Sequence, residues 1–373
     1  MLNIRIKSPQ KILSLFTGIC LLPISAFAQD QIADTKTSPD FGPMIQQMIE
    51  YSVLPGYEAL QNAAEREKKI ISELCHNPTL TNLKKARSDY KNLVSAWSAV
   101  EMYRFGPTIK NNRQEKLFFW PDRKSIGLKQ VRNLISSEDQ TALTPDTLQG
   151  KSVAVQGLLA LEYVLFGKGS EALSIATPAS YRCTYGLTIS KAMSITTQEI
   201  LKGWSEPNGY ADLMYNTGPD NAVYRSKGEV VQDFLRVTSE MIQSVRSLKL
   251  QNSIKDEPAN SKPKRAPLWR SNLTIHAIKE NLNAVVQLLN TGGLGSLTPR
   301  YTKSLEFEIE QANKFLTKLE QRPEPWPELV KQKEAHDTLA YLFIPLDGAR
   351  NVTTDLIPAE LGLSLGFNSL DGD

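Results

Sequence analysis

Of the 373 residues, 41% are apolar and 22% charged, a balance that excludes wholesale disorder and collagen-like repeats. The formal net charge of +3 comes from Arg5, Lys7 and Lys11, which stand in residues 1–11 without an acid. Taking these three from the 43 basic residues leaves 40 against 40 acidic ones, so the rest of the chain offers a nucleic-acid polyanion no general attraction.

In chain order, the basic start is followed by an uncharged run, residues 12–28, broken by Pro23 and ending in Ala26-Phe27-Ala28. This pattern reads as a secretory signal cleaved after Ala28, which places the mature protein in the periplasm of a Gram-negative cell. The run is shorter than the ~20 apolar residues of a spanning helix, and no later stretch qualifies, so no transmembrane segment is expected in the mature chain. Cys20 falls inside the signal. The preceding Thr17-Gly18-Ile19 does not suit a lipid-attachment box, so Cys20 is expected to leave with the signal. Cys75 and Cys183 remain. In an oxidising compartment they form a disulfide candidate, with two buried free thiols as the alternative.

Beyond a polar stretch at 29–39, helical spacing dominates. Residues 42–74 carry Met44, Ile45, Met48, Ile49, Leu54, Tyr57 and Leu60 at helical intervals, with Pro55 as an expected kink. Residues 79–103 align Leu83, Ala86, Tyr90, Leu93, Val94, Trp97 and Val100 on one stripe, ended by Gly106-Pro107. Residues 108–126 look irregular. Helices are expected at 127–136, 151–166 and 185–204, then a loop at 205–226, then helices at 227–250, 271–290, 302–320 and 326–365. Strand-like alternation is scarce. The expectation is an all-α protein of two helical-bundle-like domains, 29–215 and 216–373, after a signal peptide at 1–28.

The most informative segment is 152–167, SVAVQGLLALEYVLFG, in which Glu162 is the sole charge. A helix apolar on nearly all sides should be buried. A carboxylate there must be paired, hydrogen-bonded, protonated or bound to a cation. Gln156 is its one amide neighbour. Arg104, Arg182, Arg270 and Arg350 stand in apolar or turn-rich settings and suit a buried carboxylate through their planar fork of donors. A buried Glu–Arg pair that only fixes helix docking is the simpler role for Glu162; a ligand or metal role is the sharper one. Trp120-Pro121-Asp122 reads either as a packed Trp beside an Asp capping the next turn, or as the wall of a polar pocket.

Three histidines, His76, His276 and His336, are too few and too scattered for most metal enzymes. There is no His-Glu-x-x-His motif, no glycine-rich phosphate loop and no Gly-x-Ser-x-Gly turn.

Taken together, the motifs resemble the imelysin-like family of exported helical proteins linked to bacterial iron uptake. Gly157-Leu-Leu-Ala-Leu-Glu162 is similar to its signature helix. Ala96-Trp97 leading to Arg104-Phe-Gly-Pro107, Phe119-Trp-Pro-Asp122, Arg182-Cys183, Leu268-Trp-Arg-Ser271 and the terminal 365–373 segment fit in the same order. The family pattern is Gly-x-His-x-x-Glu, and here Leu159 holds the histidine position. His and Glu three apart on a helix can share a metal, whereas Leu159 has no lone pair to give. The resemblance implies an all-α fold with a polar site where the two domains meet, and a member without the usual metal-site histidine.

The leading expectation is a non-enzymatic periplasmic protein of iron or other metal homeostasis. It would bind a metal, a metal chelate, an anionic ligand or a partner in an interdomain cleft built from Glu162, Arg104, Asp122 and Arg270, with Gln156, Trp120 and Ser271 in support. Glu162 is the one candidate metal ligand. Oxygen donors would suit iron or another divalent or trivalent ion, an arginine-lined cleft an anion. An iron-uptake membrane complex is a candidate partner. The alternative is a metal-dependent peptidase or other hydrolase, which Leu159 and the shortage of histidines disfavour.

Overall fold

The computed structural model describes residues 39–122 and 124–364. The expected signal peptide, Cys20 and the terminal 365–373 motif lie outside them. Every regular element among the described residues is a helix. No described helix is long and apolar enough to cross a membrane.

The first group of helices begins with α1, Gly42–Met48, which runs through a π-helical turn, Ile49–Val53, into α2, Leu54–His76. Pro55 follows directly on the π-helical turn, in which Leu54 N–H reaches back to Ile49 O, so the helix runs on past a residue that has no N–H to give. Helix α3, Leu80–Val100, starts where Thr79 accepts the N–H of Asn82. All seven residues of its predicted stripe are buried. The short α4, Ile126–Ser137, is followed by α5, Gly157–Phe166, and the long α6, Tyr181–Ser205. Helices α2, α3 and α6 form the packed centre of this group, with α5 laid against α3 and α6.

Helix α7, Lys227–Gln243, is capped by Ser226 and continues as π-helical turns through Ser244–Gln251. Helices α8, Thr274–Thr291, and α9, Pro299–Glu320, follow. The segment expected as one helix at 326–365 is divided into α10, Lys333–Tyr341, α11, Phe343–Asn351, and shorter turns, with Pro327, Pro345 and Pro358 interrupting the run. The loop at 205–226 holds a short helix, Tyr210–Tyr215. Helix α8 packs on both α9 and α3, and buried side chains before and after residue 215 belong to one apolar cluster.

Cys75 at the end of α2 and Cys183 at the start of α6 are joined in a disulfide, with Cα atoms 5.5 Å apart.

Candidate functional site

Residues 151–166 do not form the one helix their pattern suggested. A single 3₁₀ turn, Val153–Val155, precedes α5, and the chain turns at Gly157 with φ +71°. A Cβ at Gly157 would run into the carbonyl oxygens of Leu117 and Lys116, so the position needs glycine both for its backbone angle and for its clearance. Helix α5 is then held from three sides. Tyr90 Oη donates to the Leu158 carbonyl (3.0 Å), Arg87 Nε to Leu165 (2.8 Å), and Arg182 to the carbonyls of Tyr163 and Val164 (2.7 and 2.9 Å). The two arginines satisfy the Val164 and Leu165 carbonyls that the end of the helix leaves open, and Arg182 adds to the Gly167 N–H on Tyr163.

Glu162 is 0% exposed on this helix. Its partner is the turn at 268–271, where Leu268 takes φ +59°. Oε1 accepts three hydrogen bonds, from the backbone N–H of Arg270 (3.0 Å) and of Ser271 (2.9 Å) and from Ser271 Oγ (2.9 Å). Oε2 faces Arg270 Nη1 at 3.4 Å. Burial pushes the carboxyl above its usual value, while the Arg270 charge and the Ser271 donors pull it back part of the way. The turn is fixed in its own right. Thr274 Oγ1 donates to Pro267 O (2.7 Å), and Asn272 Oδ1 accepts the N–H of Trp326 (2.8 Å). Arg270 lies with its guanidinium 4.3 Å from the centre of the Trp269 ring and 5.7 Å from that of Tyr163. Lys264 Nζ stands 5.4 Å from the same Trp269 ring. The side chain of Arg270 remains 17% exposed, so this cation–aromatic stack reaches the surface.

Glu162, Arg270 and Ser271 thus meet across more than a hundred residues of sequence. The other expected site residues each have partners of their own. Arg104 lies 4.0 Å from Glu101. Asp122 accepts the N–H groups of Ile126 and Gly127 (both 2.8 Å) and so holds the first turn of α4. Trp120 donates its indole N–H to the Arg265 carbonyl (3.2 Å), and Gln156 donates to the Lys151 carbonyl (3.2 Å). His276 is half-buried between Ser95 and Glu320, and burial lowers its affinity for a proton.

A second buried polar cluster went unforeseen. Lys249 Nζ donates to Glu101 Oε2 (2.8 Å) and to Asn281 Oδ1 (2.6 Å), and Asn281 Nδ2 donates to Glu101 Oε2 (3.0 Å). Burial pulls the Lys249 ammonium down and the Glu101 charge opposes it. The signal in the sequence was slight: Glu101 is one acid after an apolar stripe, and Lys249 stands in Leu-Lys-Leu. Tyr163 and Trp269, which flank Arg270, were within the quoted motifs but carried no mark of a role.

The metal site implied by the family pattern does not fit these residues. Leu159 has no lone pair, and the oxygens of Glu162 are already taken by donors of the chain itself. Among the described residues, no group of three or more His, Cys, Asp or Glu is placed to hold a metal ion.

Comparison with solved structures finds the same fold in other proteins. An imelysin-like protein from Psychrobacter arcticum superposes with a TM-score of 0.71 at 17% identity, covering 88% of this chain and 97% of its own. A structure described as a putative iron-regulated protein A precursor, from Parabacteroides distasonis, gives a TM-score of 0.71 at 14% identity with the same coverage. No curated protein matches. The family model described as imelysin, peptidase M75, matches residues 53–348, a span that holds Gly157, Glu162 and the 268–271 turn; the chain belongs to the imelysin family.

Proposed function

We propose that this chain is an exported, non-enzymatic member of its family that serves iron or other metal handling by binding an anionic ligand, a negatively charged metal chelate being the class that fits best. The observation behind this reading is that Glu162 is filled by its own protein. Three donors fall on Oε1 and the Arg270 guanidinium faces Oε2, so a cation there would have to compete with a fixed positive charge. What reaches the surface instead is positive. Arg270 and Lys264 flank Trp269, and such cation–aromatic stacks suit planar, oxygen-rich anions. An iron association is supported by the description of the Parabacteroides distasonis relative, and export by the pattern of residues 1–28.

Calorimetry distinguishes the readings, with ferric citrate, citrate alone and ferric ion alone as probes. Binding of ferric citrate that weakens at least tenfold in Lys264→Ala and in Trp269→Ala is the expected result. Specific binding of the bare ion that vanishes in Glu162→Gln would overturn it in favour of a metal site at Glu162. Turnover of peptides that a chelator abolishes would instead establish the hydrolase reading.

A further inference from the structure

Between α2 and α3, two acids meet where the core should be dry. Glu67 is 0% exposed, and neither of its carboxyl oxygens receives a donor. Arg66, the residue before it on α2, bonds Asp89 on α3 at 2.7 Å, and the Asp89 charge acts on the Glu67 carboxyl. Asp89 is itself buried. Its Oδ1 accepts Arg66 Nε (2.7 Å) and Asn92 Nδ2 (3.0 Å), whereas its Oδ2 has no donor. Three buried carboxyl oxygens without donors are costly, and one proton between Glu67 and Asp89 would serve two of them.

We propose that Glu67 and Asp89 share one proton, making the pair a proton-binding site that locks α2 to α3. Glu67 is the acid and donates to Asp89 Oδ2; Asp89 stays ionised because Arg66 and Asn92 already serve its other oxygen. The pair then carries one negative charge, which Arg66 balances. The alternative of two adjacent ionised carboxylates would place like charges side by side in a low-dielectric interior.

The surroundings agree with this assignment. Burial and the Asp89 charge both push the Glu67 carboxyl far above its usual value, and Arg66 opposes them. On α3, Tyr90 feels both Glu67 and Glu162, and Arg270 beyond it acts in the opposite sense. The charged side chains of α6 point away: Arg182 is bound to carbonyls of α5, Glu199 pairs with Arg113, and Lys191 and Lys202 are exposed. Glu171, in the turn packed against α2, is held by Arg87, and Glu50 of the π-helical turn is exposed at the far end. His276 reaches α3 further along, at Ser95. A surface hollow of about 530 Å³ is lined by Arg66 and Asn92, the two donors to Asp89 Oδ1.

The sign of the pH effect follows from linkage. Between the ordinary glutamate value and the raised folded-state value, the folded chain holds a proton that the unfolded chain has released. Stability therefore falls as pH rises through that window and levels off above it. Release also puts charge beside Tyr90, whose hydroxyl holds the Leu158 carbonyl of the helix that carries Glu162.

The test is infrared spectroscopy of the full chain with isotope-labelled glutamate, combined with thermal unfolding from mildly acidic to alkaline pH. The wild type is expected to show a protonated-carboxyl band at neutral pH that Glu67→Gln removes. The same variant, whose amide can donate to Asp89 Oδ2 at any pH, should lose stability less steeply with rising pH than the wild type. Asp89→Asn should move release of the Glu67 proton to lower pH. A wild type without that band, a band that persists in Glu67→Gln, or equal pH slopes in the two proteins would overturn the proposal.

Discussion

Glu162 illustrates how much one residue's meaning depends on its neighbours. Its oxygens are met by two backbone N–H groups, a hydroxyl and a guanidinium, all from the 270–271 turn. Replacing it by an apolar side chain leaves the buried N–H groups of the turn without an acceptor and takes the counter-charge from the partly exposed Arg270. Glu162→Leu is expected to lower stability by about 3–5 kcal/mol. Glu162→Gln keeps one acceptor oxygen for the N–H groups but turns an amide donor toward Arg270, and should lose about 1–3 kcal/mol. Denaturant unfolding of the two variants checks the order. If the leucine variant were as stable as the wild type, the carboxylate would not be the clasp described here.

At the scale of elements, the contact between α3, α8 and the π-helical end of α7 is organised by the Glu101–Lys249–Asn281 cluster. A π-helical stretch widens the helix by one residue per turn and re-aims the side chains that follow it. Here Lys249 lies within such a stretch and points between α3 and α8, where Glu101 at the end of α3 and Asn281 on α8 take two of its three protons. Breaking the pair from one side strands a buried charge, so Lys249→Met should cost about 3–5 kcal/mol. Adding Glu101→Gln removes the stranded charge while leaving an oxygen for Asn281, and should restore part of the loss. A double-mutant cycle measured by unfolding should then give a coupling of about 0.5–3 kcal/mol. Zero coupling would mean that the two groups are held by other contacts.

For the whole molecule, the Cys75–Cys183 disulfide closes a loop of 108 residues that contains α3, α4 and α5. It ties together the ends of the two helices that pack most extensively, α2 and α6. Closing so long a loop removes much of the freedom of the unfolded chain. The double variant Cys75→Ser, Cys183→Ser is expected to lose about 2–5 kcal/mol, and the wild type held under reductant should unfold at the same denaturant concentration. A reduced wild type as stable as the oxidised protein would show that the bridge adds nothing to the packed core.

The sequence alone determined the helical class, most helix positions and the oddity of Glu162, because these follow from apolar spacing and from the cost of a charge on an apolar helix. The stripe on α3 was legible residue by residue for that reason. Arg270 and Ser271 were legible as partners through a motif, but the way they fill Glu162 was not. That depends on backbone N–H groups, which every residue carries and no sequence pattern marks. For Asp122 the capping role was one of the two legible readings and is the one its hydrogen bonds show, whereas the place of Arg104, 4.0 Å from Glu101, was not legible. Lys249 with Asn281, and Glu67 with Asp89, came together only on folding. Each pair joins separate helices, and whether a charge finds a partner there is decided by packing rather than by any local spacing.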